Sequence, residues 1–206
     1  MAQYFWVHPD DPQPRMLKQV AACVQRGGII AYPTDAGYAL GCGLGFPDAV
    51  QRLRDIRRLG EKHYFTLLCR NLAELGQYAQ MDNAAFRLVK RLTPGPYTFI
   101  LPATKEVPRK LQHPKRQTIG ARIPDHVVVQ NLLNQIDGPL LSTTLRLPGE
   151  ELPEQEGWVI HEKLDALIDM ILDDGSGSDT TPTTVIDCCE LPPVVIREGK
   201  GAVDVL

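Results

Sequence analysis

The sequence predicts an α/β protein in which helices pack on a sheet of mixed strand directions. Short apolar segments of strand length alternate with helical patterns along the chain of 206 residues. Some connections between strands are too short for a helical crossover, so those strands must run antiparallel. No internal repeat and no linker interrupts this order, and we therefore expect a single domain over residues 1–206.

In the amino-terminal half, helical patterns alternate with apolar strands. Pro14 suits a first helical turn, and Gly27 and Gly28 end the apolar stripe that follows it. Asn71, with Glu74 after it, and Asp82 are typical of helix starts. The predicted elements are a helix from Pro14, a strand from Ile29 to Tyr32, a helix from Pro47 to Gly60, a strand from Phe65 to Cys69, and two helices capped by Asn71 and Asp82.

The carboxyl-terminal half continues the alternation. Prolines on both sides of Gly95 exclude a helix, and the segment after them is rich in β-forming residues. The predicted strands are Tyr97 to Leu101, Thr118 to Ile123, Leu140 to Thr144, Thr183 to Asp187 and Val194 to Arg197. Helices are predicted from Asp125, as the cap, through Gln135 and from about His161 to Leu172; a basic hairpin-like region spans Lys105 to Arg116, an acidic loop Pro148 to Gly157 and a polar loop Asp173 to Thr181.

Charge is distributed unevenly along the chain. From Arg52 to Arg122 there are 15 lysines and arginines against 5 acidic residues, although the whole chain has a net charge of -3. A basic middle in an acidic frame favours an anionic ligand. A set of solvated helix faces would give the same composition, so both interpretations stay open at this point.

Several classes of protein and site are excluded. No stretch reaches the length of a membrane span, and the amino terminus lacks the basic start and apolar core of an export signal, so we expect a cytoplasmic protein. The five cysteines lack Cys-x-x-Cys spacing, which predicts reduced, mostly buried thiols and no structural metal. There is no phosphate loop, dinucleotide-binding glycine spacing or nucleophile elbow. Among the histidines, His63 in the basic segment is the best candidate for a site.

The strongest local signal for a binding site is the stretch from Gly28 to Gly45. An apolar strand is stopped by Pro33, and glycines follow at positions 37, 41, 43 and 45. This predicts an open bend, which is either a wide loop between strands or a bend against a ligand. Polar clusters also end other predicted strands, at Ser142-Thr143-Thr144, Thr183-Thr184 and Arg197-Glu198-Gly199.

Ligands of α/β sheets collect where strand ends open, so these clusters are expected to converge on one site. Thr34 and Asp35 lie in the bend itself, where a hydroxyl and a carboxylate can face a ligand or brace the turn. Arg58, Lys62 and Arg122 are expected to supply positive charge for phosphate or carboxylate oxygens.

Six segments carry a family resemblance. They are AYPTDAGYALGCGL from Ala31, PGPYTFIL from Pro94, ARIP from Ala121, STT from Ser142, PTTVID from Pro182 and VIREG from Val195. Their order and sequence resemble the motifs of the YrdC-like threonylcarbamoyl-AMP synthase superfamily, closest to its YciO branch. The resemblance implies an open, twisted sheet around a concave basic cavity. It also implies that L-threonine, bicarbonate and ATP with Mg²⁺ give threonylcarbamoyl-adenylate and pyrophosphate, for threonylcarbamoylation of a tRNA adenosine.

The resemblance also implies roles for motif residues. Thr34 would contact threonine, and Arg58 with Lys62 would face the carbamate and phosphates. Ser142 would hold substrate oxygens. Thr183 and Arg197 would lie near the nucleotide, with Arg122 a neighbour of the site. No residue is assigned a covalent catalytic role, because adenylate formation needs positioning and charge neutralisation more than a nucleophile.

Two motif positions differ from the synthases. Where they have Lys-x-Arg this chain has Ile56, Arg57 and Arg58, and where they have Ser-x-Asn it has Thr144 in place of asparagine. An asparagine amide both donates and accepts, whereas threonine places a single, shorter hydroxyl. These differences predict a synthase-like enzyme of weak or altered activity. Two alternatives stay open: binding of double-stranded RNA or tRNA in the same cavity without adenylate chemistry, and an adenylate-forming enzyme for another acceptor.

Overall fold

The computed structural model describes residues 1–60, 63–176 and 180–204. Within these ranges the chain forms one sheet of ten strands, with six α-helices packed against it. The helices are α1 Pro14–Gln25, α2 Pro47–Arg57, α3 Leu72–Tyr78, α4 Asn83–Leu92, α5 Val127–Leu133 and α6 Gly157–Leu164. The strands are β1 Gln3–Trp6, β2 Ile30–Tyr32, β3 Ala39–Gly43, β4 Thr66–Leu68, β5 Tyr97–Pro102, β6 Thr118–Arg122, β7 Leu140–Thr144, β8 Met170–Asp173, β9 Thr184–Asp187 and β10 Val194–Arg197.

The sheet contains both parallel and antiparallel pairs, which confirms the predicted fold class. The strand order is β1-β8-β2-β3-β7-β4-β6-β5-β9-β10. Strand β8 is parallel to β1 and β2, and the pairs β4–β6 and β5–β9 are also parallel. The remaining pairs are antiparallel. Central strands such as β3, β4 and β7 are thus contributed by distant parts of the chain.

The two faces of the sheet are covered to different extents. The larger apolar cluster joins residues of α2, α3, α4 and α6 to strand residues such as Leu67 and Leu141. The smaller cluster joins α1 and α5 to Leu68 and Leu140, which point to the opposite face because strand side chains alternate. Helices α1 and α5 cover only part of this second face, and the rest of it opens into a cavity.

The strand predicted from Ile29 to Tyr32 is confirmed as β2, but the open bend expected from Pro33 to Gly45 is wrong. The turn is confined to the residues around Thr34, and Ala39–Gly43 is the buried strand β3. A Cβ at Gly41 would lie 2.9 Å from Cε1 of Tyr32, and one at Gly43 would lie 2.9 Å from Cδ2 of Phe46. These glycines therefore let aromatic rings pack closely against a strand.

The predicted helix from about His161 to Leu172 is wrong in its second half. Helix α6 ends at Leu164, and the apolar run that follows includes the fully buried strand β8. A short continuous apolar run suits a buried strand or a buried helix, so periodicity alone did not separate them. Strand β1 was not predicted, because it has few residues and its pairing partner is distant in sequence. Part of the predicted polar loop, residues 177–179, lies outside the described residues.

Two predicted helix caps are confirmed, and a third is wrong. Asn71 Oδ1 accepts a hydrogen bond from the Glu74 N–H at 2.9 Å, and Asp82 Oδ1 accepts from the Ala85 N–H at 2.7 Å. Asp125 does not cap α5: the N-cap residue is His126, without a side-chain capping bond. The backbone N–H of Asp125 instead donates to Asp35 Oδ2 at 3.1 Å, so this chain segment is held by the turn before β3.

Candidate functional site

The candidate site is a cavity of about 380 Å³ on the part of the sheet face that α1 and α5 leave open. Its floor follows the strand register, since the lining residues of each strand, apart from Thr143, are every second residue. Ser142 is paired with Gly41 and Thr66, and Thr66 with Gly120. The lining strand residues are Ala39, Ser142, Thr143, Thr144, Thr66, Leu68, Thr118, Gly120, Arg122, Thr98, Ile100 and Val185. Apart from Thr143, they share one pleated face, rich in hydroxyls and glycine.

The turn before β3 forms one wall of the cavity and is held by its own polar groups. The Thr34 hydroxyl donates to the Gly37 carbonyl at 2.6 Å and accepts from the Ala36 N–H at 3.1 Å. Backbone bonds between Thr34 and Gly37 close the turn, and Gly37 has a φ of 92°, which favours glycine. Thr34 therefore braces the turn while its hydroxyl oxygen keeps one lone pair for a ligand.

Asp35 ties this turn to the middle of the sheet through a buried ion pair. Arg122 Nη2 donates to Asp35 Oδ1, and the two side chains are only 8% and 10% exposed. Arg122 lines the cavity, yet its Nε is buried without a hydrogen-bond partner among the described residues. Burying this N–H without a partner is costly, and the positive charge of Arg122 at the cavity favours an anionic ligand.

A second set of buried polar groups supports the same wall from behind. Tyr38, which lines the cavity, donates its hydroxyl to Asp173 Oδ1 at 2.5 Å. The next residue, Asp174, lies 3.3 Å from Nε2 of His126, at the start of α5. Burial lowers the pKa of His126, although the nearby Asp174 charge opposes this. The turn is thus fixed to both β8 and α5.

Ser142 is placed by a buried tyrosine. The Tyr32 hydroxyl donates to Ser142 Oγ at 2.6 Å, in a position that only Gly41 between them allows. Burial raises the pKa of Tyr32, so the phenol keeps its proton at neutral pH. Since Ser142 accepts from Tyr32, its own proton is available for an acceptor in the cavity.

His63 is joined to the same region of the floor. Its Nε2 lies 3.2 Å from Oγ1 of Thr143, and both residues line the cavity. Burial lowers the pKa of His63, and the charges of Arg57 and Arg54 lower it further. The imidazole is therefore neutral at pH 7, and its Nε2 donates to or accepts from the Thr143 hydroxyl according to its tautomer.

The far side of the cavity is built from β5, β9 and β10. The hydroxyls of Thr98 and Thr183 are 2.9 Å apart and buried. Arg197 donates from Nη2 to the Thr183 carbonyl at 2.8 Å and to its Oγ1 at 3.3 Å. The guanidinium of Arg197 is thereby oriented by neutral oxygens and brings positive charge to the cavity.

The cavity brings together six of the eight predicted site residues: Thr34, Arg122, Ser142, Thr144, Thr183 and Arg197. Arg58 lies elsewhere: it is the exposed C-cap of α2, with a φ of 49°, and lines a separate cavity beside Leu147 and Lys163. Its neighbour Arg57 is half-buried and acts on His63 through its charge. Lys62 lies outside the described residues.

The prediction missed several lining residues, notably Thr66, Thr98, Tyr64, His113 and Arg116. Thr66 and Thr98 have only a weak signal, because each is a single hydroxyl in an otherwise apolar strand, with Leu68 or Ile100 next to it on the same face. Tyr64, His113 and Arg116 have none, because they come from loops whose position depends on the fold.

The charge of the described lining residues is positive but partly neutralised. Three arginines and two histidines line the cavity, and none of these lining residues is a carboxylate. Arg122 is paired with Asp35, however, and Arg116 donates to Asp187 Oδ2 at 2.6 Å. The cavity suits an anionic ligand that either replaces Asp35 or Asp187 as the partner of an arginine or bonds to the same arginine beside them.

Two further observations limit the kind of site. Among the described residues, no group of at least three histidine, cysteine or acidic side chains is arranged to hold a metal ion. The helices in the described ranges are all too short or too polar to cross a membrane.

Four of the five cysteines are buried, which confirms the expectation that the thiols are mostly buried.

Comparisons of sequence point to one family. The family model Sua5_yciO_yrdC, with the description "Telomere recombination", matches residues 22–199. The Escherichia coli K12 protein "Uncharacterized protein YciO" is 49% identical over 203 residues, which are 98% of each chain. The "Threonylcarbamoyl-AMP synthase" of Coxiella burnetii is 31% identical over 180 residues, which cover 86% of this chain and 95% of that protein.

Comparisons of structure agree. The crystal structure of E. coli YciO has a TM-score of 0.94 and covers 100% of this chain and 99% of its own. The crystal structure of P. abyssi Sua5 complexed with L-threonine has a TM-score of 0.87 at 25% identity, and covers 95% of this chain and 57% of its own. The similarity in sequence and in fold extends over nearly the whole chain.

Proposed function

The chain belongs to the Sua5_yciO_yrdC family, and on that basis we propose that it is a threonylcarbamoyl-AMP synthase-like enzyme of weak or altered activity. The observation that supports this most is the gathering of six motif residues around one cavity. A relative of 31% identity is named for this activity, and the P. abyssi relative was crystallised with L-threonine.

The proposed reaction joins three substrates. The amino group of L-threonine combines with bicarbonate, with loss of water, to give a carbamate. A carbamate oxygen then attacks the α-phosphorus of ATP, and pyrophosphate leaves with the electrons of the broken P–O bond. Several negative charges meet in this step, so the main tasks of the protein are positioning and charge neutralisation.

The cavity residues suit those tasks. Arg122 brings positive charge to the cavity, and Arg197 is held in place by Thr183. Ser142 has a hydroxyl proton to donate, because Tyr32 occupies it as an acceptor. Fixed donors of this kind need no reorganisation during the reaction. Mg²⁺ would accompany ATP and would be held largely by phosphates and water, so it does not require a protein carboxylate cage.

The test is an assay of pyrophosphate release. Purified protein receives ATP, Mg²⁺, bicarbonate and L-threonine, and then each of the other amino acids in place of threonine. We expect release above the blank without amino acid. A rate equal to the blank with every amino acid would refute the enzyme proposal.

Thr144 is the position at which the altered motif is best tested. It lines the cavity and is exposed, so an asparagine there can be accommodated. We expect Thr144→Asn to raise turnover with L-threonine, because the amide adds a donor and an acceptor. Thr144→Val is the control for loss of the hydroxyl alone. Unchanged turnover in Thr144→Asn would contradict the role assigned to this position.

A second candidate function is binding of double-stranded RNA or tRNA. Five exposed basic residues lie in the segment 105–116, and the same segment contributes His113 and Arg116 to the cavity. The exposed basic residues are Lys105, Arg109, Lys110, Lys115 and Arg116. Phosphate contacts from these residues would make the affinity fall with salt. The logarithm of the affinity for a duplex RNA should therefore fall linearly with the logarithm of the salt concentration. An affinity that does not change with salt would contradict this function.

A further inference from the structure

An aromatic pair at the rim of the cavity has no role in the function proposed so far. The rings of Tyr64 and His113 are stacked, with centroids 4.9 Å apart and planes inclined by 28°. Both residues line the cavity, and Tyr64 is 40% exposed. No hydrogen bond to the Tyr64 hydroxyl is found among the described residues, so its exposed ring is not explained by polar contacts.

The pair is held in place from both sides. Nδ1 of His113 accepts the backbone N–H groups of Lys115 at 3.3 Å and Arg116 at 3.1 Å. These bonds use Nδ1 as an acceptor and fix the plane of the ring. On the other side, Phe65 follows Tyr64 directly and is buried, with its ring edge-on to His63 at 5.5 Å. The stacked Tyr64–His113 pair is therefore already formed in the absence of a ligand.

The rest of the cavity lining carries both polar and apolar side chains. Buried hydroxyls and Arg122 form the polar floor around Ser142, Thr98 and Thr183. Ile100 and Val185 add half-buried apolar side chains to the lining. A planar heterocycle attached to an anionic group can use both kinds of contact, since its ring prefers aromatic and apolar side chains and its charges prefer donors.

We propose that the Tyr64–His113 pair binds the purine ring of a nucleoside triphosphate by stacking, while the cationic floor takes the phosphates. This inference rests on the proposed function in one respect, because the proposed function identifies the ligand as ATP. The pair thus decides whether the site prefers a nucleotide to a bare polyphosphate. Stacking tolerates different bases, so the preference concerns the presence of a ring more than its identity.

The experiment measures the equilibrium affinity of the full chain for ATP and for tripolyphosphate, each with Mg²⁺, by calorimetry. We expect Tyr64→Ala to weaken ATP binding by about 5- to 150-fold, the range for loss of one base–aromatic stack, and to leave tripolyphosphate affinity within about twofold. Tyr64→Phe should retain ATP affinity, because the ring and not the hydroxyl carries the contact. His113→Asn removes the imidazole but keeps an acceptor for the two backbone N–H groups, and should also weaken ATP binding selectively.

Trp158→Ala is the matched control, because this aromatic residue on α6 is 61% exposed and does not line the cavity. Equal losses for ATP and tripolyphosphate in Tyr64→Ala, unchanged ATP affinity, or no ATP binding by the unaltered chain would each overturn the inference. The proposed function fails separately: selective loss of ATP affinity in Tyr64→Ala without any amino-acid-dependent pyrophosphate release supports the stacking site and refutes the synthase activity.

Discussion

The ion pair between Asp35 and Arg122 should be a principal contributor to the stability of the cavity wall. Its side chains are 10% and 8% exposed, and Arg122 Nε already lacks a partner among the described residues. Asp35→Ala leaves the guanidinium charge buried without a counter-charge. Removing one member of a buried pair costs about 3–5 kcal/mol, so we expect a loss of that size in the free energy of unfolding. In a domain of this length it corresponds to a fall of about 6–20 °C in Tm.

Urea denaturation at pH 7 measures this loss. Glu150→Ala is the control, because its ion pair with Lys163 is exposed and Lys163 keeps a second partner in Glu154. Exposed pairs of this kind contribute about 0–1 kcal/mol. The double variant Asp35→Ala/Arg122→Met should recover part of the lost stability, because no unpaired charge remains. A loss in Asp35→Ala no larger than in Glu150→Ala, or a double variant less stable than Asp35→Ala, would refute the electrostatic explanation.

Two further predictions concern the same floor. Gly41→Ala should destabilise the protein by about 1–3 kcal/mol, because its Cβ would lie 2.9 Å from the Tyr32 ring, whereas Gly45→Ala, with nothing within 4 Å, should cost much less; equal losses in urea denaturation would contradict this. The pKa of His63 is lowered in the folded state, so the unfolded chain binds its proton first as pH falls below the ordinary value of 6.5, and stability should fall with pH in that range. His63→Gln should make the urea midpoint less dependent on pH between 7.5 and about 5, and an unaltered dependence would count against the burial of a neutral imidazole.

The elements that the sequence predicted well are those with local signals. Asn71 and Asp82 cap helices because a short side chain can accept from the N–H groups of the next turn, whatever surrounds the helix. The segment Leu140–Thr144 was predicted as a strand from its composition, and it is strand β7. Strand β8 was missed because a buried apolar segment has no polar face that would reveal its period.

The candidate site shows the same difference between residues with a local sequence signal and residues that only the fold places. Thr34, Ser142 and Thr183 were found because they lie in polar clusters at strand ends and in family motifs. Arg58 was expected beside them, but it is the exposed C-cap of α2 and lines a separate cavity. Tyr64 and His113 come from separate loops, and no spacing in the sequence connects them.

By itself the sequence determined the α/β class, the family and those site residues that lie in polar clusters at strand ends, such as Ser142 and Thr183, because alternation, turn chemistry and ordered motifs are properties of neighbouring residues. Only the tertiary structure decided which part of the sheet face stays uncovered, since α1 and α5 close one half of it and leave the other open. It also decided that Gly41 and Gly43 belong to a strand, because their role is to let the rings of Tyr32 and Phe46 approach. Such contacts depend on how strands pair in the sheet, so the pattern of neighbouring residues in the sequence does not predict them.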